Sequence, residues 1–490
     1  MGTGDSTLSF YRPARIRTVL VANRGEIAVR VIRAVQELGM RAVAVVSDAD
    51  RDSLAARMAD EAVPIGASHA AKSYLNPAAI LAAAQQCGAD AIHPGYGFLS
   101  ENAGFAAQVE AADLIFVGPS SQVIATMGDK ARARETAQRA NVPTVPGSDG
   151  VVRSLEEARD VAARIGYPVM IKAAAGGGGR GIRVAHDAMQ LDAELPLAQR
   201  EAQAAFGDGG VYLERFIARA RHIEVQVLGD GNDVVHLFER ECSLQRRRQK
   251  IFEEAPSPSL TPEVRAALCA SATSLARQVG YRSAGTLEYL FDEVRGEFYF
   301  IEMNTRIQVE HPVTEAITGI DLVRETLRIA DGEPLRFTQD DIVLRGVALE
   351  CRINAEDPRQ DFRPNPGRID ELVWPAGPGV RIDSLLYPGY SVPPFYDSLL
   401  AKLIVHDESR PAAIGRLVRA LRELHIGGVK TTAPLHLALL ADDDVRAGRY
   451  HTNYLEAWME VWRAQSDTAA DASAASGEAA ARASGIGEAV

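Results

Sequence analysis

Thr18 to Ala22 reads as a buried strand, and Asn23-Arg24-Gly25-Glu26 turns from it into an amphipathic helical run that ends at Leu38-Gly39. Ala42 to Ser47 then reads as the next strand. A strand–helix–strand opening of this kind predicts a parallel sheet with helices packed on its faces. A third unit closes with Asp90-Ala91-Ile92 and enters the loop His93 to Asn102. Loops after parallel strands are where such sheets place ligand groups. The outline is Rossmann-like, but the G-x-G-x-x-G fingerprint is missing, so no dinucleotide site is inferred.

From Gly128-Asp129-Lys130 the texture changes. A charged helix runs to about Ala140, and Val142 to Gly147, with two prolines, reads as a linker. Ser154 caps a helix ending at Ile165, and Tyr167 to Lys172 is a strand. That strand leads into Gly176-Gly177-Gly178-Gly179, followed by a second strand from Ile182. The glycine run lacks G-K-[ST] and opens no helix, so it is not a P-loop. Bare backbone N–H groups still approach anions closely, and Lys172 and Arg180 supply charge, so the expectation is a loop over phosphates.

Farther on, His222, Glu224 and Gln226 alternate onto one strand face, and Asp230-Gly231 signals a hairpin. The run Gln245 to Lys250 is basic. In a chain carrying a net charge of -12 it points to small-anion chemistry and away from nucleic acid or an anionic membrane. A second hairpin, Gly285–Phe291 with Phe298–Glu302, places Glu288 opposite Glu302 within about one residue. Like charges facing each other are destabilising, and a divalent cation would remove that penalty. Two carboxylates with the Asn304 amide are oxygen ligands suited to magnesium or manganese, ions that usually share a nucleotide's phosphates. If the chain stays extended, Glu302, Asn304, Arg306, Gln308 and Glu310 share one face, with a metal end and an anion end.

Together these stretches resemble the biotin carboxylase family of the ATP-grasp superfamily, from about Ile16 to Tyr454. The likeness rests on His93–Asn102, Lys172–Gly181, Gln245–Lys250, Glu302–Pro312 and Glu350–Glu356, in that order. The resemblance implies a mixed α/β and α+β chain: a Rossmann-like N-terminal domain over 1–129 and an ATP-grasp domain over 130–345, with a mobile lid at about 143–218. A β-rich C-terminal domain over 346–464 follows. It implies that bicarbonate attacks the γ-phosphate of ATP, and that the carboxyphosphate formed releases CO2 to N1 of biotin. Lys130, Lys172, Gly178, Gly179, Glu214, Ile217 and His222 would hold ATP, with Arg215, Phe216, Gln245, Arg248 and Leu290. Glu288, Glu302 and Asn304 would hold two Mg2+ or Mn2+ ions. Lys250, Arg306, Gln308 and the Val309 backbone would bind bicarbonate, Glu310 would deprotonate it, and Arg352 would stabilise phosphate and biotin.

Arg248 and Arg215 stand where many members carry His and Lys. No Met-Lys dipeptide occurs, so the biotinyl site is expected on a separate carrier protein that also meets a carboxyltransferase subunit. The expected acceptor is an acyl-CoA, acetyl-CoA ahead of propionyl- or methylcrotonyl-CoA, and the expected assembly is a homodimer. Four cysteines without a C-x-x-C pair fit reduced thiols. The first 17 residues lack a signal-peptide core and no apolar run is long enough to span a bilayer, so a cytoplasmic location is expected. After about Gln465 the Ala/Ser/Gly-rich chain is expected to be disordered. The rivals are another ATP-grasp ligase, such as a carbamoyl-phosphate synthase half, and a nucleotide-binding regulatory subunit without turnover.

Overall fold

The computed structural model describes residues 15–174 and 182–464. The glycine run lies outside the described residues, and with it the expected nucleotide ligands Gly178 and Gly179, as does the tail from 465.

The opening unit folds as its pattern predicts. β1 (Thr18–Val21), β2 (Arg41–Ser47), β3 (Glu61–Gly66), β4 (Ala91–His93) and β5 (Ile115–Phe116) form a parallel sheet in the order β3-β2-β1-β4-β5. β1 is buried along its whole length, because helices cover both faces of such a sheet. The helix Gly25–Glu37 lays Ile27, Val31 and Val35 into the core at helical spacing. The same helix also buries Glu26 and Arg30, polar groups that an amphipathic pattern would leave outside.

β6 (Val169–Ala173), β7 (Ile182–Ala185) and β8 (Val211–Arg215) form a small antiparallel sheet in the order β7-β6-β8. The helices Leu155–Ile165 and Ala188–Phe206 pack on it around a core of their own that includes Val161, Leu191, Leu195 and Leu213. The second helix, for which sequence alone assigned no element, carries Pro196 in its interior, where proline normally breaks a helix.

The site stands on one larger antiparallel sheet. β9 (Ala220–Asp230), β10 (Val234–Arg246), β11 (Gln249–Ala255), β12 (Arg282–Asp292), β13 (Glu297–Asn304) and β14 (Val347–Asn354) are joined by Val380–Ser384 and Leu399–Asp407. Their order is β13-β12-β9-β10-β11-β14, then Leu399–Asp407, then Val380–Ser384. β14 follows the expected division at 345/346 in sequence, yet it pairs with β11, Phe252 opposite Cys351. The sheet therefore runs unbroken from the central region into the C-terminal one.

Glu288 does face Glu302 across β12 and β13. The register then shifts, Tyr289 pairing with Phe300, so the bulge falls at Ile301, which is left 40% exposed. Extension ends at Asn304. Beyond it the chain bends, and Glu310 (φ -81°, ψ 7°) becomes the residue before the helix His311–Thr318. The single extended face expected from Glu302 to Glu310 thus holds only as far as Asn304. Arg306, Gln308 and Glu310 reach the site from a loop.

Candidate active site

A cleft of about 1970 Å³ opens between the small sheet, the large sheet and the C-terminal strands. Every described residue of the expected nucleotide, metal and bicarbonate sets lines it, from Lys130 and Lys172 through Glu288 and Glu302 to Arg352.

Its floor is a buried charge network. His222, Glu224 and Gln226 alternate along β9 as the sequence suggested, and β10 places Arg240 opposite Glu224. Arg240 is completely buried. It donates to Glu224 at 2.9 Å, to Gln226 at 2.8 Å, to Thr286 at 2.9 Å and to the Gln308 amide oxygen at 2.5 Å. Sequence reasoning missed Arg240. A bulge between His236 and Glu239, with Phe238 at φ 61°, re-aims β10 just before it, and strand alternation alone does not foresee that. The cross-strand partner of the His222–Gln226 face was the signal available.

Lys250 of β11 meets three carboxylates: Glu224 in a short contact, Glu310 at 2.7 Å and Glu288 at 3.1 Å. Arg352 of β14 donates to Glu310 at 3.1 Å and to Glu253 at 2.6 Å. Burial alone would raise the Glu310 carboxyl, but the charges of Lys250, Arg352 and Arg240 overrule it and hold it well below the usual carboxylate range. Burial would likewise lower Lys250, and Glu224, Glu310 and Glu288 hold it well above the usual lysine value.

At the metal end, Glu288 accepts from His222 at 2.9 Å, from Asn304 at 2.8 Å and from Gln308 at 2.9 Å. Glu302 stands opposite and half-buried, and no side chain among the described residues hydrogen-bonds its carboxylate. Burial, and then the neighbouring Glu288 charge, push Glu302 upward, while Lys130 pulls it down. Two facing carboxylates, one without a partner, beside an amide oxygen fit a hard divalent cation. His222, Glu224 and Glu288 also bring one ligand atom each within 4.8 Å of one another.

Arg306 is held from the N-terminal region. Glu101, in the loop after β4, takes its Nε at 2.8 Å and the Thr305 N–H at 3.1 Å. A second bond runs from Arg306 to the Asn304 amide oxygen at 2.8 Å. On the small sheet Lys172 pairs closely with Glu214, which also meets Arg134 at 3.2 Å. Arg215 is tied to Tyr299 and to the Ile165 carbonyl, both at 2.9 Å, and so braces the base of that sheet.

The basic run Gln245–Lys250 divides. Gln245 bonds His222 at 2.6 Å, whereas Arg246 and Arg247 are engaged by Asp361 at 2.8 and 3.1 Å. Within the run Lys250 reaches Glu310, and Arg248 stands at the β10–β11 turn (φ 68°) without an ion pair among the described residues.

Three family models match the chain: the biotin carboxylase N-terminal domain over residues 15–124, the carbamoyl-phosphate synthase L chain ATP-binding domain over 129–338, and the biotin carboxylase C-terminal domain over 350–457. Biotin carboxylase 1 of Bacillus subtilis (strain 168) is 51% identical over 444 residues, covering 90% of this chain and 99% of the relative. A pyruvate carboxylase polypeptide of Methanothermobacter thermautotrophicus is 51% identical over 439 residues, 89% of each chain. Among solved structures, a biotin carboxylase domain dimer of Hydrogenobacter thermophilus 2-oxoglutarate carboxylase, in complex with MgADP, ADP and bicarbonate, superposes with a TM-score of 0.81 at 50% identity, over 90% of this chain and 97% of the other.

Proposed function

The chain belongs to the biotin carboxylase family, whose reaction is the ATP-dependent carboxylation of biotin, and we propose that the charge network around Glu310 performs it in the following way. Bicarbonate sits between the Arg306 guanidinium, the Lys250 ammonium, the Gln308 amide and the Val309 backbone. A planar guanidinium grips a planar anion at two points, which fixes the attacking oxygen. Lys130, Lys172, Glu214 and His222 hold the nucleotide. Glu288, Glu302 and Asn304 would hold divalent cations, which when bound neutralise phosphate oxygens.

Glu310 then takes the bicarbonate proton as the oxygen attacks the γ-phosphorus and ADP leaves. Without substrate, Lys250 and Arg352 keep Glu310 a weak base. An anion bound against Lys250 competes for that ammonium, loosens its hold on Glu310 and strengthens the base as the substrate arrives. Carboxyphosphate breaks to CO2 and phosphate, the released phosphate takes the N1 proton of biotin, and N1 attacks CO2 to give carboxybiotin. Arg352, anchored by Glu253, faces the negative charge that develops. The observation carrying this reading is the bracketing of Glu310 by Lys250 at 2.7 Å and Arg352 at 3.1 Å. The test is ATP hydrolysis with bicarbonate and free biotin. Hydrolysis indifferent to bicarbonate would overturn it.

The finer reading is a chain that works as a homodimer on a biotinylated carrier, feeding a carboxyltransferase whose acceptor is an acyl-CoA, acetyl-CoA first. Free-standing relatives called biotin carboxylase, matched over nearly their whole length, support the separate carrier, and the Hydrogenobacter thermophilus domain dimer supports the homodimer. The pyruvate and 2-oxoglutarate carboxylase relatives favour a keto acid as a second reading. Identifying the biotinylated protein and carboxyltransferase that co-purify, then supplying acetyl-CoA or pyruvate, separates the two. Light scattering checks the dimer. No helix among the described residues is long and apolar enough to cross a membrane.

A further inference from the structure

Lys402 is completely buried on the strand Leu399–Asp407. Burying a lysine ammonium is costly unless it is paired and hydrogen-bonded. Here it is met by Glu26 at 3.0 Å, by Asp383 at 3.9 Å and by the main-chain carbonyl of Val309, to which it donates at 2.9 Å. Three regions of the chain therefore converge on one ammonium: the first helix through Glu26, the C-terminal strands through Asp383, and the loop before the catalytic base through Val309. Lys402 also lies directly across from Arg352 in the sheet. Arg352 holds the Glu310 carboxylate and Lys402 holds the carbonyl of the preceding residue, so neighbouring cations grip residues 309 and 310, one by backbone and one by side chain.

We propose that Lys402 is a positioning residue for bicarbonate: by fixing the Val309–Glu310 peptide it leaves the Val309 N–H and the Glu310 carboxylate turned to the anion. The Val309 carbonyl accepts from Lys402, while its N–H has no hydrogen-bond partner among the described residues and is the polar group of that residue left for a substrate. Extension has already ended at Asn304, so no sheet ladder holds this stretch, and a fixed anchor has to come from elsewhere. Glu26 completes the anchor, since it also accepts from the hydroxyl of Tyr96, a residue of the cleft wall. This inference rests on the reading of residues 306–310 as the bicarbonate site.

The test compares wild type, Lys402→Met and the double variant Lys402→Met/Glu26→Gln, which removes both charges of the buried pair. Nucleotide affinity is measured by calorimetry without bicarbonate. The KM values for bicarbonate and ATP and kcat come from biotin-dependent ATP hydrolysis. A lost charge-assisted hydrogen bond should raise the bicarbonate KM or lower kcat by about tenfold to a hundredfold in both variants. ATP affinity should stay within about threefold, because neither Lys402 nor Glu26 lines the cleft. Unchanged bicarbonate kinetics in an active, folded variant would overturn the proposal, as would equal losses for bicarbonate and ATP. Loss of nucleotide binding in both variants would make Lys402 a merely structural residue and overturn it too. A wild type that hydrolyses ATP without regard to bicarbonate would instead sink the functional reading beneath it.

Discussion

At the scale of single residues, each cation of the site is held by more than one partner, Lys250 and Arg352 by several acids and Arg306 by an acid and an amide. Arg306 shows what that implies for substitution. Glu101, from the N-terminal region, and Asn304, from the end of β13, fix its guanidinium, which itself lies at the anion end of the site. Arg306→Ala should cut bicarbonate- and biotin-dependent turnover roughly a hundredfold, leaving ATP affinity within about threefold. Equal losses of both would undercut the role given to it, and steady-state kinetics beside a binding isotherm decide. Glu350 behaves in the opposite way. It is wholly buried, and neither carboxylate oxygen finds a hydrogen-bond partner among the described residues. Burial holds its pKa well above the usual carboxyl value, against the pull of Lys402 and with the push of Glu253 directly across the sheet. The unfolded chain releases this proton at about pH 4.3, while the folded chain keeps it. Its stabilising contribution is therefore full below about pH 4.3 and declines as the pH rises toward the folded value, by about 1.4 kcal/mol per unit. Glu350→Gln, neutral and nearly isosteric, should remove that decline, and urea midpoints taken between about pH 5 and 8 should show a flatter profile than wild type. Parallel profiles would refute a protonated Glu350. The sequence marked Glu310, Arg306 and Arg352 for this site, but Arg240, Glu253 and Glu101 escaped it. Their positions depend on strand neighbours and a loop from distant parts of the chain, which one-dimensional alternation does not contain.

Elements explain which expectations survived. The β12–β13 hairpin was legible because a short loop between two apolar runs fixes register, and Glu288 met Glu302. The bulge at Ile301 and the bend after Asn304 were not legible, since nothing in a period-two pattern announces an extra residue. The same hairpin gives a test of the metal. Facing carboxylates repel, so in chelator Glu302→Gln should melt about 1–3 °C above wild type. Magnesium with ADP should raise the wild-type melting temperature by more than it raises that of the variant. An equal rise in both would remove Glu302 from the cation site. The helix Ala188–Phe206 shows a third kind of miss: no element was assigned there from sequence, and in the fold tertiary packing outweighs Pro196.

Over the whole molecule, the parallel opening sheet and the strand-rich C-terminal region were readable from period and punctuation, but their union through one sheet was not. Cores and sheets divide the protein unequally. The small sheet with its two helices keeps a core of its own, while β11 and β14 knit the central and C-terminal regions together. Hydrogen exchange should follow that division. Amides of β6 and β8 should exchange at least about tenfold faster than those of β9, β12 and β14, and saturating nucleotide should slow the first group most. Uniform exchange across both groups would contradict it. The unbroken large sheet has one more consequence, for anyone who would cut the chain. A nick in the segment between Gly332 and Arg345 would leave two fragments, each with a bare strand edge shaped to the other. Coexpressed, such halves should find each other and regain carboxylation, so this fold offers a ready-made split reporter whose signal is the enzyme's own turnover.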